Sequence, residues 1–208
     1  LTSYAVYKDP MTLEDYLNAR IVSTPLGLYD CDVPCDASVA FIISHTDTVK
    51  DCRRGRAVGF EAVGTANTER VSWDQGDLRY LTGIDGPAKM LWSRTDLRQK
   101  DIDMVQLYDG FSFNALCWLE KLGFCGEGEA GAFLDGGQRI ARDGELPLNT
   151  NGGQLSAGRL HGYGFLHEAC VQLLGEAGAR QVPNNPQTAI ATSGGGVPGS
   201  ALLLTAPR

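Results

Sequence analysis

Apolar residues recur along this chain at two spacings, one near three to four residues and one near two, and their alternation predicts alternating helices and strands. Met11-Thr-Leu-Glu-Asp-Tyr-Leu-Asn-Ala-Arg20 has the pattern of a short amphipathic helix, with Thr12 as N-cap and Asp15 three residues on where a capping box usually carries Glu. Ser38–Ile43 is apolar and β-branched and predicts a buried strand; Arg56–Val63 alternates more loosely and predicts a second. Pro87–Leu97 follows as a helix, with Met90, Leu91 and Leu97 as apolar members. Asp103–Tyr108 is a strand, and Phe111–Leu122 a helix in which Ala115, Leu116, Leu119 and Leu122 share a face. Gly123–Gly137, glycine-rich and acidic, reads as a loop. A helix over Gly162–Ala177 gathers Leu166, Ala169, Cys170, Leu173 and Ala177 on one side. Strands at Thr188–Thr192 and Ser200–Thr205 complete the series.

This order predicts an α/β architecture, a mixed and mainly parallel sheet with flanking helices. In such sheets the loops that leave the carboxyl ends of strands carry function. Three junctions of that kind stand out: Tyr108–Phe111, Gly152–Gly164 and Thr192–Gly196.

At 208 residues the chain is long enough for one domain or somewhat more. A net charge of −7 with no basic stripe argues against a nucleic-acid partner. Arg53, Arg54 and Arg56 form the one basic cluster and read as a solvated turn. No apolar run approaches the length that spans a bilayer, and the start, Leu1–Pro10, has neither the basic nor the apolar region of a secretion signal. The missing initiator Met fits a truncated or processed chain. Cys31, Cys35, Cys52, Cys117, Cys125 and Cys170 lack paired metal-ligand spacing, and the three histidines are scattered, so no metal site is expected. Unpaired cysteines fit a reducing, cytoplasmic location.

The stretch Asn149–Gly164 combines five glycines with Arg159, His161 and Tyr163. A linker is disfavoured by the helical pattern that begins at its end, and a phosphate cradle lacks the Lys that such loops use. A catalytic loop is the better reading. Plainer roles exist for each residue: Tyr108 closing a strand, Asp109 capping the next helix, Tyr163 packing, the glycines making tight turns. His167 and Glu168, inside the predicted helix, read as structural, and His45 as a surface residue.

Three motifs then carry a resemblance. Asp103-Met-Val-Gln-Leu-Tyr-Asp-Gly-Phe111, Asn149-Thr-Asn-Gly-Gly153 with Gly158, and Gly194-Gly-Gly196 occur in the order found in the C-terminal half of thiolases. The flavour is that of the sterol-carrier-protein type and of the actinobacterial lipid-transfer proteins of steroid side-chain degradation. Thr12–Tyr16, Asp30-Cys-Asp-Val-Pro34 and Gly158-Arg-Leu-His-Gly-Tyr-Gly164 add to it. The resemblance implies the end of a loop domain over 1–32, the last strand of the N-terminal half over 33–46 and the C-terminal domain over 47–208. The N-terminal half, which carries a thiolase's acylated Cys, would lie elsewhere.

The departures from thiolases are chemical. The Asn of their Asn-Glu-x-Phe motif falls on Tyr108, the His of Gly-His-Pro on Arg159, and the Cys of Cys-x-Gly on Thr192. Thiolysis loses its tools, whereas lipid-transfer proteins with this pattern resemble retro-aldolases, which cut a β-hydroxyacyl-CoA into a ketone and a shorter acyl-CoA. The expected catalytic residues are Tyr108, Tyr163 and His161, with the two phenols converging on one pocket; Asp109, Gly153, Arg159, Gly194 and Gly195 are expected to bind substrate. A lone phenol, with a pKa of about 10, costs roughly 4 kcal/mol to ionise at neutral pH, so a nearby cation or a shared proton is required. Two other readings remain: an acyltransferase whose nucleophilic Cys lies in the other half, and a non-catalytic acyl-CoA or lipid binder. Lost thiolase side chains count against the first, and two tyrosines at junctions count against the second. The resemblance further implies a CoA thioester as substrate with no cofactor, a homodimer formed through N-terminal halves, and a small OB-fold, zinc-ribbon partner; no nucleic acid or membrane is expected.

Overall fold

Thr188-Ala-Ile-Ala-Thr192 carries small or apolar side chains on both faces, the pattern of a strand covered on both sides, and it runs through the middle of the sheet. A computed structural model of the chain describes residues 2–52, 55–67, 82–195 and 198–207. Arg53, Arg54 and Gly196 lie outside them. In chain order the elements are α1 (Leu13–Leu17), β1 (Ile21–Ser23), β2 (Leu26–Gly27), β3 (Gly59–Ala66), α2 (Asp85–Trp92), β4 (Met104–Gln106), α3 (Ser112–Lys121), α4 (Ala130–Leu134), α5 (Gly153–Ser156), α6 (Tyr163–Leu173), β5 (Thr188–Ser193) and β6 (Gly199–Thr205).

The principal sheet has the order β3-β6-β5-β4. Its mixed character and the flanking helices match expectation, but only β4 and β5 pair in parallel. β5 with β6 and β6 with β3 are antiparallel, so the described sheet is not mainly parallel. Strand direction here follows connection length: the few residues between β5 and β6 permit only a reversal.

α6 packs on β4 and β5, and α2 on β3 and β6. At Gly64 the approach of β3 to α2 is so close that a Cβ would overlap the Pro87 carbonyl. Trp118, Leu119 and Leu122 of the α3 segment join Met104, Leu107, Ile190, Leu203 and Leu204 in the core. β4 ends the sheet yet is fully buried, because the Pro147–Asn149 segment covers its outer edge: Val105 N–H donates to Pro147 O (2.9 Å) and Val105 O accepts from Asn149 N–H (3.1 Å).

α1 has the expected Thr12–Asp15 capping box but spans only Leu13–Leu17 and buries none of its residues. The helix expected over 87–97 runs from Asp85 to Trp92. The loop expected over 123–137 contains α4, whose first N–H, that of Ala130, is accepted by Glu120 Oε1 from α3 (3.1 Å), a cap no local pattern reveals. The strand expected over 38–43 is not formed: the segment is irregular, with Ile42 97% and Ile43 74% exposed. β-branched residues favour a pleated surface only when a neighbouring strand supplies the pairing, and no described strand lies beside this one. Among the described residues no helix is long and apolar enough to cross a membrane.

Candidate active site

Beyond β4 the backbone is held open by a side chain. Asn149, at φ 49°, accepts from Leu107 N–H with Oδ1 (2.7 Å) and donates to Leu107 O with Nδ2 (2.9 Å), continuing the ladder with an amide in place of a peptide. The next N–H, that of Tyr108, donates to Thr192 Oγ1 on β5 (2.7 Å). Tyr108 is thus fixed from both flanks. Its ring lies over Gly110, meets Phe165 of α6 edge-on at 6.4 Å and stacks on His161 at 6.5 Å and 28°. Its hydroxyl is 3.4 Å from His161 Nδ1.

His161 is set with equal firmness. It takes a left-handed backbone (φ 48°), its N–H donates to Gln154 Oε1 (2.7 Å), and its carbonyl accepts from Ser193 Oγ (3.0 Å). Gly162 follows because a Cβ there would strike Ser193. Beside the imidazole, Arg159 pairs with Asp32 (3.3 Å), and its N–H donates to Val33 O (2.8 Å). Asp32 N–H donates to Gly110 O (3.1 Å) and Val33 N–H to Gln154 O (3.0 Å), so residues 32–33 tie the Tyr108 junction to the Gln154–His161 loop.

Electrostatics follow burial. Burial is the main cause raising the Tyr108 phenol above its usual range; Asp32 and Asp109 raise it further, opposed by Gln154 and Arg159. Burial also raises the Asp32 carboxyl, opposed by Arg159 and His161. Asp109, only 3% exposed, is pushed up to about 7 by burial. Its oxygens accept from Gln154 N–H (2.8 Å) and Asn149 Nδ2 (3.0 Å). Asp109 therefore caps α5 rather than the helix that follows it; α3 starts instead on Asn114, whose Oδ1 accepts from Phe111 N–H (2.9 Å). Gly153 is required here, since its φ is +62° and a Cβ would overlap the Asp109 carboxyl.

Of the residues singled out from the sequence, Tyr108, His161 and Arg159 come together, with Asp109 and Gly153 packed beneath them. Gly194 and Gly195 lie past the end of β5, their carbonyls accepting from Trp118 Nε1 (2.9 Å) and Asn114 Nδ2 (3.3 Å). Tyr163 stands apart. It is 60% exposed at the start of α6 and stacks on Phe41 at 6.2 Å, and no described contact joins it to Tyr108. The expected convergence of the two phenols is not what this fold shows; a phenol–imidazole pair is.

Below the loop, Glu168 is fully buried and bonds Arg180 through both oxygens (3.2 and 2.8 Å), while accepting from Thr150 Oγ1 (2.8 Å) and Gln172 Nε2 (3.0 Å). This is the structural role expected of it, and it braces the residue next to Asn149. Asp32, Gln154 and Asn149 were not singled out from the sequence. Asn149 and Gln154 sit in the glycine-rich stretch and Asp32 in the Asp30–Pro34 motif, but neither period nor spacing marks them.

With this geometry the chain can be placed. Residues 64–205 match the family described as thiolase C-terminal domain-like, and the chain belongs to that family. It is 35% identical over 207 residues to the 17-hydroxy-3-oxo-4-pregnene-20-carboxyl-CoA lyase of Mycobacterium tuberculosis, over 95% of this chain and 51% of that protein. It is 34% identical over 206 residues to the steroid side-chain-cleaving aldolase of Thermomonospora curvata, over 97% and 52% of the two. A solved Ltp2-ChsH2(DUF35) aldolase superposes with a TM-score of 0.82 at 29% identity, over 97% of this chain and 53% of that one. The chain thus spans about half the length of the relatives it matches.

Proposed function

We propose that this chain supplies the C-terminal half of the active site of a carbon–carbon lyase, a retro-aldolase acting on a β-hydroxyacyl-CoA with a bulky, steroidal acyl group. The observation that carries the reading is the Tyr108–His161 pair, 3.4 Å apart, at the strand end where thiolases hold an Asn. The lyase and aldolase relatives support it. The chemistry is a base-assisted cleavage. The β-hydroxyl loses its proton as its oxygen forms the ketone carbonyl, the bond between the α and β carbons breaks, and its electron pair passes into the thioester enolate. A proton delivered to the α carbon then releases the shorter acyl-CoA. Tyr108 and His161 relay that proton, and Arg159 adjusts the charge beside them. CoA enters as part of the substrate, and no cofactor is used. Tyr163, exposed at the start of α6, is left to substrate contact rather than to proton transfer.

Nucleophilic catalysis by four of the six cysteines is disfavoured. Burial raises the Cys117 thiol to about 12 and the Cys125 and Cys170 thiols to about 11, and Cys31 is raised by burial and by Asp30 and Asp32. The same reading makes the intact protein a homodimer with a small OB-fold, zinc-ribbon partner; the paired Ltp2-ChsH2 neighbour supports a second chain. It works in the cytoplasm, a location supported by six free cysteines.

The test is a product assay on the intact protein with its partner. A steroidal β-hydroxyacyl-CoA is supplied with and without free CoA, and products are followed by mass spectrometry. Ketone and shortened acyl-CoA formed without free CoA support the lyase. Cleavage of a 3-ketoacyl-CoA only when CoA is present would establish a thiolase and overturn it, and no turnover with either would favour a binder.

A further inference from the structure

Gln154 is 3% exposed, and its Nε2 is buried without a hydrogen-bond partner. Buried amide donors are nearly always satisfied, so one left open in a site is a candidate for transient charge. Its orientation is not arbitrary. The His161 N–H can only donate, so the atom 2.7 Å from it is the amide oxygen, and Nε2 must point the other way. The backbone of Gln154 is equally fixed, its N–H on Asp109 and its carbonyl on Val33. Gln154 therefore joins three parts of the site: the Tyr108–Asp109 junction, the Asp32–Val33 segment and the His161 backbone. The Gln154 amide is among the groups that favour the ionised form of the Tyr108 phenol, and its Nε2 is engaged by no other hydrogen-bond partner.

We propose that Gln154 is a positioning residue for Tyr108: its open Nε2 donates to the phenol oxygen when that oxygen carries negative charge, and its Oε1 meanwhile holds His161 in place to receive or return the proton. This rests on the reading above that Tyr108 handles the hydroxyl proton. The groups facing Tyr108 are His161 from the loop, Arg159 and Asp32 beside it, and Asp109 on its own junction. Two of these are carboxyls that oppose a phenolate. Against them the Gln154 donor acts with Arg159, and unlike the guanidinium, which is engaged by Asp32, its donor is unspent.

The test reads the ionisation of Tyr108 directly. In the intact protein carrying 3-fluorotyrosine, the Tyr108 resonance is assigned by its loss in Tyr108→Phe and titrated by fluorine NMR. Gln154→Glu keeps an oxygen for the His161 N–H and replaces the donor with an acceptor. It should move Tyr108 ionisation upward by roughly one to two pH units and shift the alkaline rise of kcat/KM in step. Gln154→Met, which removes the amide, should shift it in the same direction by less, and it serves if the Glu variant does not fold. Tyr108 ionising at the wild-type pH in either folded variant would refute the proposal. A clear shift combined with full turnover in Tyr108→Phe would instead refute the proton-transfer role of Tyr108 and leave the Gln154–Tyr108 coupling standing, so the two readings fail separately.

Discussion

The Tyr108 hydroxyl lies 3.4 Å from Nδ1 of His161, and the two ring planes, their centroids 6.5 Å apart, are inclined by only 28°. At that distance the hydrogen bond is long, and a modest closure on substrate binding would shorten it into range for proton transfer. The pair couples the end of β4 to the loop before α6.

Removing the hydroxyl should therefore affect chemistry and spare the fold. Tyr108→Phe keeps the ring between Gly110, Phe165 and His161 and loses only a long contact. We expect kcat/KM for the β-hydroxyacyl-CoA to fall about 100- to 10,000-fold, with thermal stability close to wild type. Turnover within a few-fold of wild type would remove Tyr108 from the mechanism.

His161 separates two contributions, imidazole and backbone. Asn tolerates the left-handed conformation at φ 48°, whereas a β-branched residue does not. His161→Asn should retain stability while losing about 10- to 100-fold in kcat, a measure of the imidazole alone. His161→Val should lose activity and also melt at lower temperature, because strain then adds to the lost side chain. Equal melting temperatures for the two variants would contradict the assigned backbone.

Asp109 gives stability a particular pH dependence. Its carboxyl titrates near 7 in the folded chain, against about 4 when unfolded. Between those values the native state holds a proton that the unfolded state has released. Stability should thus decline as pH rises from about 4 to 7 and level off above, by an amount on the order of a few kcal/mol. Denaturant unfolding at several pH values would show the slope, and Asp109→Asn, which cannot ionise, should flatten it.

The Glu168–Arg180 pair should be a stability element. Glu168 is fully buried, and the Arg180 side chain is 15% exposed. Glu168→Ala leaves a guanidinium without its partner and removes one hydrogen bond each from Thr150 and Gln172, and should cost about 2–4 kcal/mol in denaturant unfolding. Replacing both residues with apolar ones of similar volume should cost much less. If the single variant is no worse than the double, the pair is not what holds the Thr150 turn.

How far the chain could be read in advance varied with the range of the forces involved. The helices α3 and α6 were legible from periodicity, because each buries a repeating apolar face, and the strands β4, β5 and β6 from short apolar runs. The Thr12–Asp15 cap was legible because it is a contact between residues three apart. Strand pairing was not. Ser38–Ile43 has every local property of a strand, yet its neighbour is a matter of tertiary structure, and without one it stays irregular and exposed.

The site divides along the same line. Tyr108, His161 and Arg159 were marked in the chain by residue type beside glycines and by the order of three motifs, and family membership followed from that order. Which of them meet was a tertiary matter. The pairing of Tyr108 with His161 and not with Tyr163 depends on a left-handed turn at His161, on Gln154 and Ser193 gripping its peptide, and on Asp32 reaching across from a distant segment. Each of these is a contact between residues that sequence spacing leaves independent. A pattern of local propensities specifies what a segment can be; only close packing, which lets one set of side chains into a shared space and excludes the rest, specifies what it touches.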